Sequence, residues 1–386
     1  MLIELTDDFV DRLYSLDNER DKDKALILID NALSQVHLHH HIVFMSLKSI
    51  RELKCEDKIG HYCKRVLQWM ENNIKDLYAI RQKVDLIVEL TFCKTTCSSV
   101  ISSKKSTYSI NINDLDEFKE SILITENATD YDFYLGVFNW IDGNNFYSTQ
   151  LKNIPSYGAN ADKTIISNDT DKEFICCIFD SDKSFNEDAN GSTLKNAING
   201  DKQRTNRCFP FYLYALPVKE KENLFPYSEY LYGPNIELNT KNLINLLVKE
   251  TNEELLRFFD LKDGIKHKKL NNRNNNEKWR TLYLPFINKC KTNGVCASNC
   301  KCIICSKQTC KGCKNEDKKY IAGIGDKLLE GASKKFFNDP CLKFDNSTNP
   351  DSIFGNQKFI LDIWKEIAHL LLNFGCSISR SINFNV

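Results

Sequence analysis

Seven of the sixteen cysteines in this chain fall between residues 290 and 313, at Cys290, Cys296, Cys300, Cys302, Cys305, Cys310 and Cys313. Cysteine at that density is either metal-bound or oxidised. The first residues, MLIELTDDFVDRLYSLDNERD, are acidic and amphipathic, with no basic n-region, no continuous apolar run and no small-residue cleavage site, so they do not read as a secretory signal. The expectation is synthesis in the cytosol, where disulfides are rare.

The cluster contains two C-x-x-C pairs, Cys302 with Cys305 and Cys310 with Cys313. Zinc takes four thiolate or imidazole ligands in a tetrahedron, and a C-x-x-C turn supplies two of them. The four residues between Cys305 and Cys310 are short for a zinc ribbon or finger, which leaves roughly a dozen or more between its knuckles. A compact thiolate site remains open. So does oxidation, because an odd count of seven leaves one sulfur to pair elsewhere, and so do inert reduced thiols. The other nine cysteines read as small buried hydrophobes.

At 386 residues the chain has room for two or three domains of ~100–200 residues each. Hydrophobic residues at 42% and charged residues at 27% exclude a disordered chain, and no apolar run approaches the ~20 residues needed to cross a bilayer. Lys and Arg total 52 against 52 Asp and Glu, a formal net charge of zero. Neutrality removes the self-repulsion that opposes association.

The periodicity predicts a fold that is predominantly α with a smaller β-containing middle region, an α+β class, with the Cys-rich insertion in the C-terminal third. Stripes at Leu26, Ile29, Leu33 and Val36, at Ile59, Tyr62, Val66 and Trp69, and at Leu77, Ile80, Val84 and Ile87 predict an amphipathic helical bundle over 1–100. Alternation at Ile110 and Ile112 and the apolar run 174–179 predict strands in a mixed β and loop region over 101–218. A hairpin is expected at Phe133 to Ser148 around Asp142-Gly143, and a long polar loop at 180–207. Over 219–386 helix returns. Thr251 and Glu254 suggest a capping box, and Ile360, Ile363, Ile367 and Leu370 a closing helix ended by Gly375.

Other constellations are weaker. His37 and His41 stand one helical turn apart, yet no third ligand accompanies them, and the group His37, His39, His40 and His41 reads as a solvated helix end. The basic run Lys262, Lys266, His267, Lys268, Lys269, Arg273, Lys278, Arg280 with Trp279 reads as a solvated loop rather than a nucleic-acid surface. No phosphate loop, nucleophile elbow or H-E-x-x-H occurs, and Gly323-x-Gly325 lacks the third glycine of a dinucleotide fingerprint. No catalytic role is therefore expected.

Lys, Asn, Ile and Asp are used heavily, and Pro occurs only 8 times. With the absence of a leader, the charge balance and the many cysteines, the chain resembles the occlusion-body matrix proteins of insect viruses, the polyhedrins, including those of nudiviruses. The resemblance is one of overall character without an alignable motif, so it assigns no residue a role. It implies a self-assembling structural protein that crystallises around virions in the host nucleus or cytoplasm and is then released as particles. Its partners would be itself, as a lattice or homo-oligomer that disulfides could link, and virions, with no cofactor, no membrane and no expected contact with nucleic acid. The alternative is a viral or nuclear zinc-binding factor whose segment 290–313 contacts nucleic acid or a polymerase.

Overall fold

The computed structural model describes residues 1–92, 97–100, 105–143, 146–266, 277–295, 319–339, 342, 349–382 and 384. Of the described residues, helix accounts for about 52% and strand for about 16%, an α+β fold. Two compact units are present, one formed by Met1–Ile178, Asn196–Tyr214 and Ile367–Val386, the other by Phe179–Lys195 and Ala215–Glu366. Among the described residues no helix is long and apolar enough to cross a membrane.

The first unit begins β1 (Leu2–Leu5), α1 (Asp7–Tyr14), α2 (Glu19–His37), β2 (Ile42–Met45), α3 (Leu47–Lys54), α4 (His61–Asn72), α5 (Ile74–Lys83), β3 (Leu86–Thr91), β4 (Cys97–Val100) and β5 (Ser106–Asn111). The expected helices form, and Leu26, Ile29, Leu33 and Val36 are buried. They are not a bundle, however. β1 pairs in parallel with β2 and β3, and β3 with β5, in a five-stranded sheet of order β2-β1-β3-β5-β4. The reason is local: LIEL and IVFM are apolar runs too short for helices, and each ends at a helix cap. The Thr6 hydroxyl accepts from Phe9 N, and the Ser46 hydroxyl from Ser49 N. Ile87, read as the end of a helical stripe, belongs to β3.

A second sheet follows, built from β6 (Ile122–Thr125), α6 (Ala128–Asp142), β7 (Tyr147–Thr149), β8 (Lys152–Pro155), α7 (Ala161–Thr170), β9 (Ile175–Phe179), α8 (Ser192–Gln203) and β10 (Phe211–Ala215). Its order is β10-β9-β6-β8, with β6 parallel to both β8 and β9. Strands covered on both faces should be apolar throughout, and every residue of β6 and of β9 is buried. β7 pairs instead with β13 (Cys376–Ile378).

The hairpin expected at Phe133 to Ser148 is replaced by α6. Asn127 N donates to Asp130 Oδ2 at 2.8 Å to open the helix, and Phe133, Tyr134, Val137 and Phe138 fall on its buried face. Gly143 ends it, because a Cβ there would lie 2.2 Å from Asn139 O. The stretch 180–207 is likewise not a continuous loop, since it contains α8.

The second unit carries α9 (Leu238–Val248), α10 (Glu253–Phe258), β11 (Gly264–Lys266), α11 (Glu277–Thr292), β12 (Lys319–Ala322), α12 (Asp326–Phe337), α13 (Pro350–Phe354) and the first half of α14 (Lys358–Gly375). α10 is capped by Asn252, whose side chain accepts from Leu255 N, one residue beyond the expected Thr251. Trp364 Nε1 donates to Leu224 O at 2.7 Å, and its ring meets Phe336 and Phe354. Ile360, Ile363, Ile367 and Leu370 are buried along α14, as their spacing predicts.

Candidate functional site

Two strands of the second sheet run out into a cluster of charged side chains in the second unit. β9 ends at Phe179 and continues as Asp180, Ser181 and Asp182; β10 ends at Ala215 and continues to Lys219 and Glu220. The two extensions are tied by backbone bonds, Leu216 N to Phe179 O at 2.9 Å and Asp182 N to Lys219 O at 2.9 Å. Ser181 Oγ donates to Val218 O, and Lys221 N donates to Asp180 Oδ1 at 3.1 Å. The carboxyl ends of strands in open α/β sheets are where such folds bind ligands.

Lys219 is the centre of the cluster. Its side chain is 9% exposed, and its Nζ lies 3.6 Å from Glu220 Oε1 and 3.6 Å from Asp260 Oδ2. Burial works against its charge, but Glu220, Asp260, Asp182 and Asp180 more than compensate and hold its pKa above the ordinary value. Glu220 bears the opposite imbalance. Burial pushes its carboxyl up to about 8 despite Lys219, and Asp260, Glu222 and Asp182 push in the same direction. Its Oε2 is buried and meets no hydrogen-bond donor. The two titrate together: Glu220 gives up its proton far later than an ordinary carboxylate, and Lys219 keeps its charge.

The walls are firm. Asn223 Nδ2 donates to Leu256 O at 3.0 Å and to Phe259 O at 2.9 Å, and Tyr283 Oη reaches both Phe258 O and Ser184 O. Asp182 adopts a left-handed backbone, φ 57°, a sparsely populated state for a residue other than glycine. Gly191 leaves room for it, since a Cβ there would sit 2.1 Å from Asp182 Oδ2.

The end of β6, in the first unit, is engaged differently. Thr125 Oγ1 donates to Asn127 O, and Asp130 is buried in the cap of α6. Its polar groups serve the start of a helix.

Of the sequence-nominated cysteines, Cys290 is fully buried in α11 and forms no disulfide. Cys296, Cys300, Cys302, Cys305, Cys310 and Cys313 lie outside the described residues. Cys63, Cys176, Cys177 and Cys376 are buried free thiols, whereas Cys55 is exposed. The histidines are held separately. His37 packs on Tyr62 and Phe384, His40 Nδ1 meets Gln35 Oε1, and the fully buried His41 has Nε2 at 2.7 Å from Lys119 O. In the basic run, Lys266 pairs with Asp263 and Lys278 with Glu187, and 267–276 lies outside the described residues. Among the described residues no three His, Cys, Asp or Glu side chains stand close enough to enclose a metal ion unaided.

The Lys219 cluster was missed in the sequence because its members are scattered over eighty residues of chain, from Asp180 to Asp260. One signal was available: the buried run 174–179 passes directly into Asp-Ser-Asp, placing two carboxylates at a strand end. Comparisons with protein-family models, with curated proteins and with solved structures return no match.

Proposed function

We propose that the chain binds a phosphate ester together with a divalent cation at the Lys219 cluster and promotes its hydrolysis. The observation that carries this reading is the gathering of Asp180, Asp182, Glu220 and Asp260 about one buried ammonium where β9 and β10 end. Magnesium commonly takes only one or two protein carboxylates and completes its shell with water and phosphate oxygens. A site with no ready-made three-ligand cage suits a cation that arrives with its phosphate. Lys219 supplies a point charge to the phosphate, and Glu220 supplies a proton to the leaving oxygen. Water attacks phosphorus, the ester P–O bond breaks, and the water proton passes through Asp182 to solvent. This departs from the non-catalytic matrix role expected from sequence character.

The test is release of nitrophenolate from mono- and bis-p-nitrophenyl phosphate with Mg2+ or Mn2+. Lys219→Met and Asp182→Asn should each lower the rate by about 100-fold or more with the circular dichroism spectrum retained. Turnover independent of cation, or untouched by both substitutions, counts against the reading.

A second reading, self-assembly into a structural matrix, draws support from zero net charge and from apolar side chains left in solvent, Ile27 at 64%, Leu38 at 52% and Tyr62 at 65% exposed. Sedimentation at pH 7 should then give large assemblies that Ile27→Lys and Tyr62→Lys disperse. A monodisperse monomer at high concentration contradicts it.

A further inference from the structure

Within the first unit, the histidines that follow α2 meet the segment 376–384 that follows α14. His39 Nδ1 lies 3.1 Å from Ile378 O, so that nitrogen carries the proton and donates. His39 also holds a left-handed backbone, φ 60°, which persists only where its surroundings fix it. Phe384 is buried against the rings of His37 and His39, at 5.7 and 5.6 Å, and of Trp69 at 5.2 Å. Beneath this contact, Met1 N reaches both Cys376 O at 2.6 Å and Nδ1 of the fully buried His41 at 3.4 Å. Nε2 of His41 donates to Lys119 O at 2.7 Å, so a further proton on this ring must enter at Nδ1, as a buried charge facing the Met1 nitrogen. On its other edge the segment pairs with β7, and Ser379 N donates to Phe146 O at 3.0 Å.

We propose that segment 376–384 is an acid-released strap, docked at neutral pH and freed when His39 and His41 take up protons. Burial is the main cause that holds both imidazoles below their ordinary value. Around His39 the charges of His37, Arg380 and His40 work in the same direction, against its bond to Ile378 O; around His41 the Met1 amine and His40 do so, against backbone hydrogen bonds. The Met1 amine is itself pushed down to about 5 by burial, and the Cys376 thiol, pushed up to about 12, stays neutral throughout. In the released state the rings regain water and their ordinary value of 6.5, so release takes up protons. Docking is therefore strongest above pH 6.5 and is lost progressively as pH falls below it.

Hydrogen exchange of the full chain, read by mass spectrometry and corrected for the intrinsic pH dependence of exchange, tests this between about pH 7.5 and 5. Protection of the amides in 376–382 should fall about tenfold or more, while α7 in the same unit keeps its protection. His39→Asn retains a side-chain donor and a residue type that tolerates the left-handed backbone, and it should shrink that fall severalfold. His41→Gln, which removes the deeper titrating ring, should act in the same direction. Should a variant fail to fold, the unmodified protein still decides. Protection in 376–382 that is unchanged across this range, or lost equally there and in α7, overturns the proposal, as does an undiminished fall in folded His39→Asn.

Discussion

Two buried acid–base pairs in this molecule, Asp169 with Arg204 and Glu220 with Lys219, are built to opposite specifications. Asp169 and Arg204 have side chains only 3% and 4% exposed, and every demand is met. Asp169 accepts from Arg204 Nε at 2.9 Å and from the backbone N–H of Thr205 and Asn206; the guanidinium also donates to Asn206 O and Phe209 O and stacks over Phe211. Burial alone would raise the Asp169 pKa, yet those bonds hold it below the ordinary carboxylate value. Around Lys219 the carboxylates outnumber the cation, burial pushes the Glu220 carboxyl up to about 8, and its Oε2 has no donor. A saturated pair fastens the chain. An unsaturated one retains capacity for a proton, a cation or a substrate, which is why shifted titration marks candidate sites.

The largest expected effect follows from breaking the saturated pair. Arg204→Met strands a buried carboxylate and should cost about 3–5 kcal/mol in urea unfolding. A loss below about 1 kcal/mol would mean that Asp169 is already neutral or wet, and the contrast would dissolve.

Next comes the pH dependence of the unsaturated pair. The folded-state pKa of Glu220 is raised above its unfolded value, so its contribution to stability is fully present below pH ~4.5 and is lost as pH rises through about 8. Across that window Glu220 should remove about 3 kcal/mol. Glu220→Gln should flatten the curve of unfolding free energy between pH 5 and 8.5. An identical slope in wild type and variant would show that Glu220 titrates normally. Asp169 has the opposite sign: its contribution is present above its unfolded value and is lost as pH falls through the lower folded one.

The smallest effect concerns the wall of the cluster. Gly191→Ala places a methyl against Asp182 and should cost about 1–3 kcal/mol, with any cation-dependent turnover impaired beyond what the lost stability explains. Unchanged stability and turnover would mean that Asp182 is free to move and that its left-handed backbone has no role.

The sequence reveals α2 and α14 well because each runs over four turns or more with one unbroken apolar stripe, so secondary structure and burial agree. It misleads where elements are short. LIEL and IVFM are too brief to show a period, and only their parallel pairing identifies them as strands. At Phe133 to Trp140 the aromatic content suits a strand, while the Asn127 and Asp130 cap decides for helix. The site was hidden for a related reason. Its composition is ordinary at every position, and what distinguishes it is the convergence of Asp180, Lys219 and Asp260, which only the fold brings together. The cysteine cluster, by contrast, is conspicuous in sequence, and of its members Cys290 is fully buried in α11.

The central claim, that Lys219 and its carboxylates form a ligand site, is tested most directly by calorimetric titration of the full chain with Mg2+ and pyrophosphate at pH 7, alone and together. The account predicts saturable binding that is tightest when both are present and about tenfold or more weaker in Lys219→Met and in Asp182→Asn, with folding retained. Absence of binding, or equal binding by wild type and both variants, would contradict it.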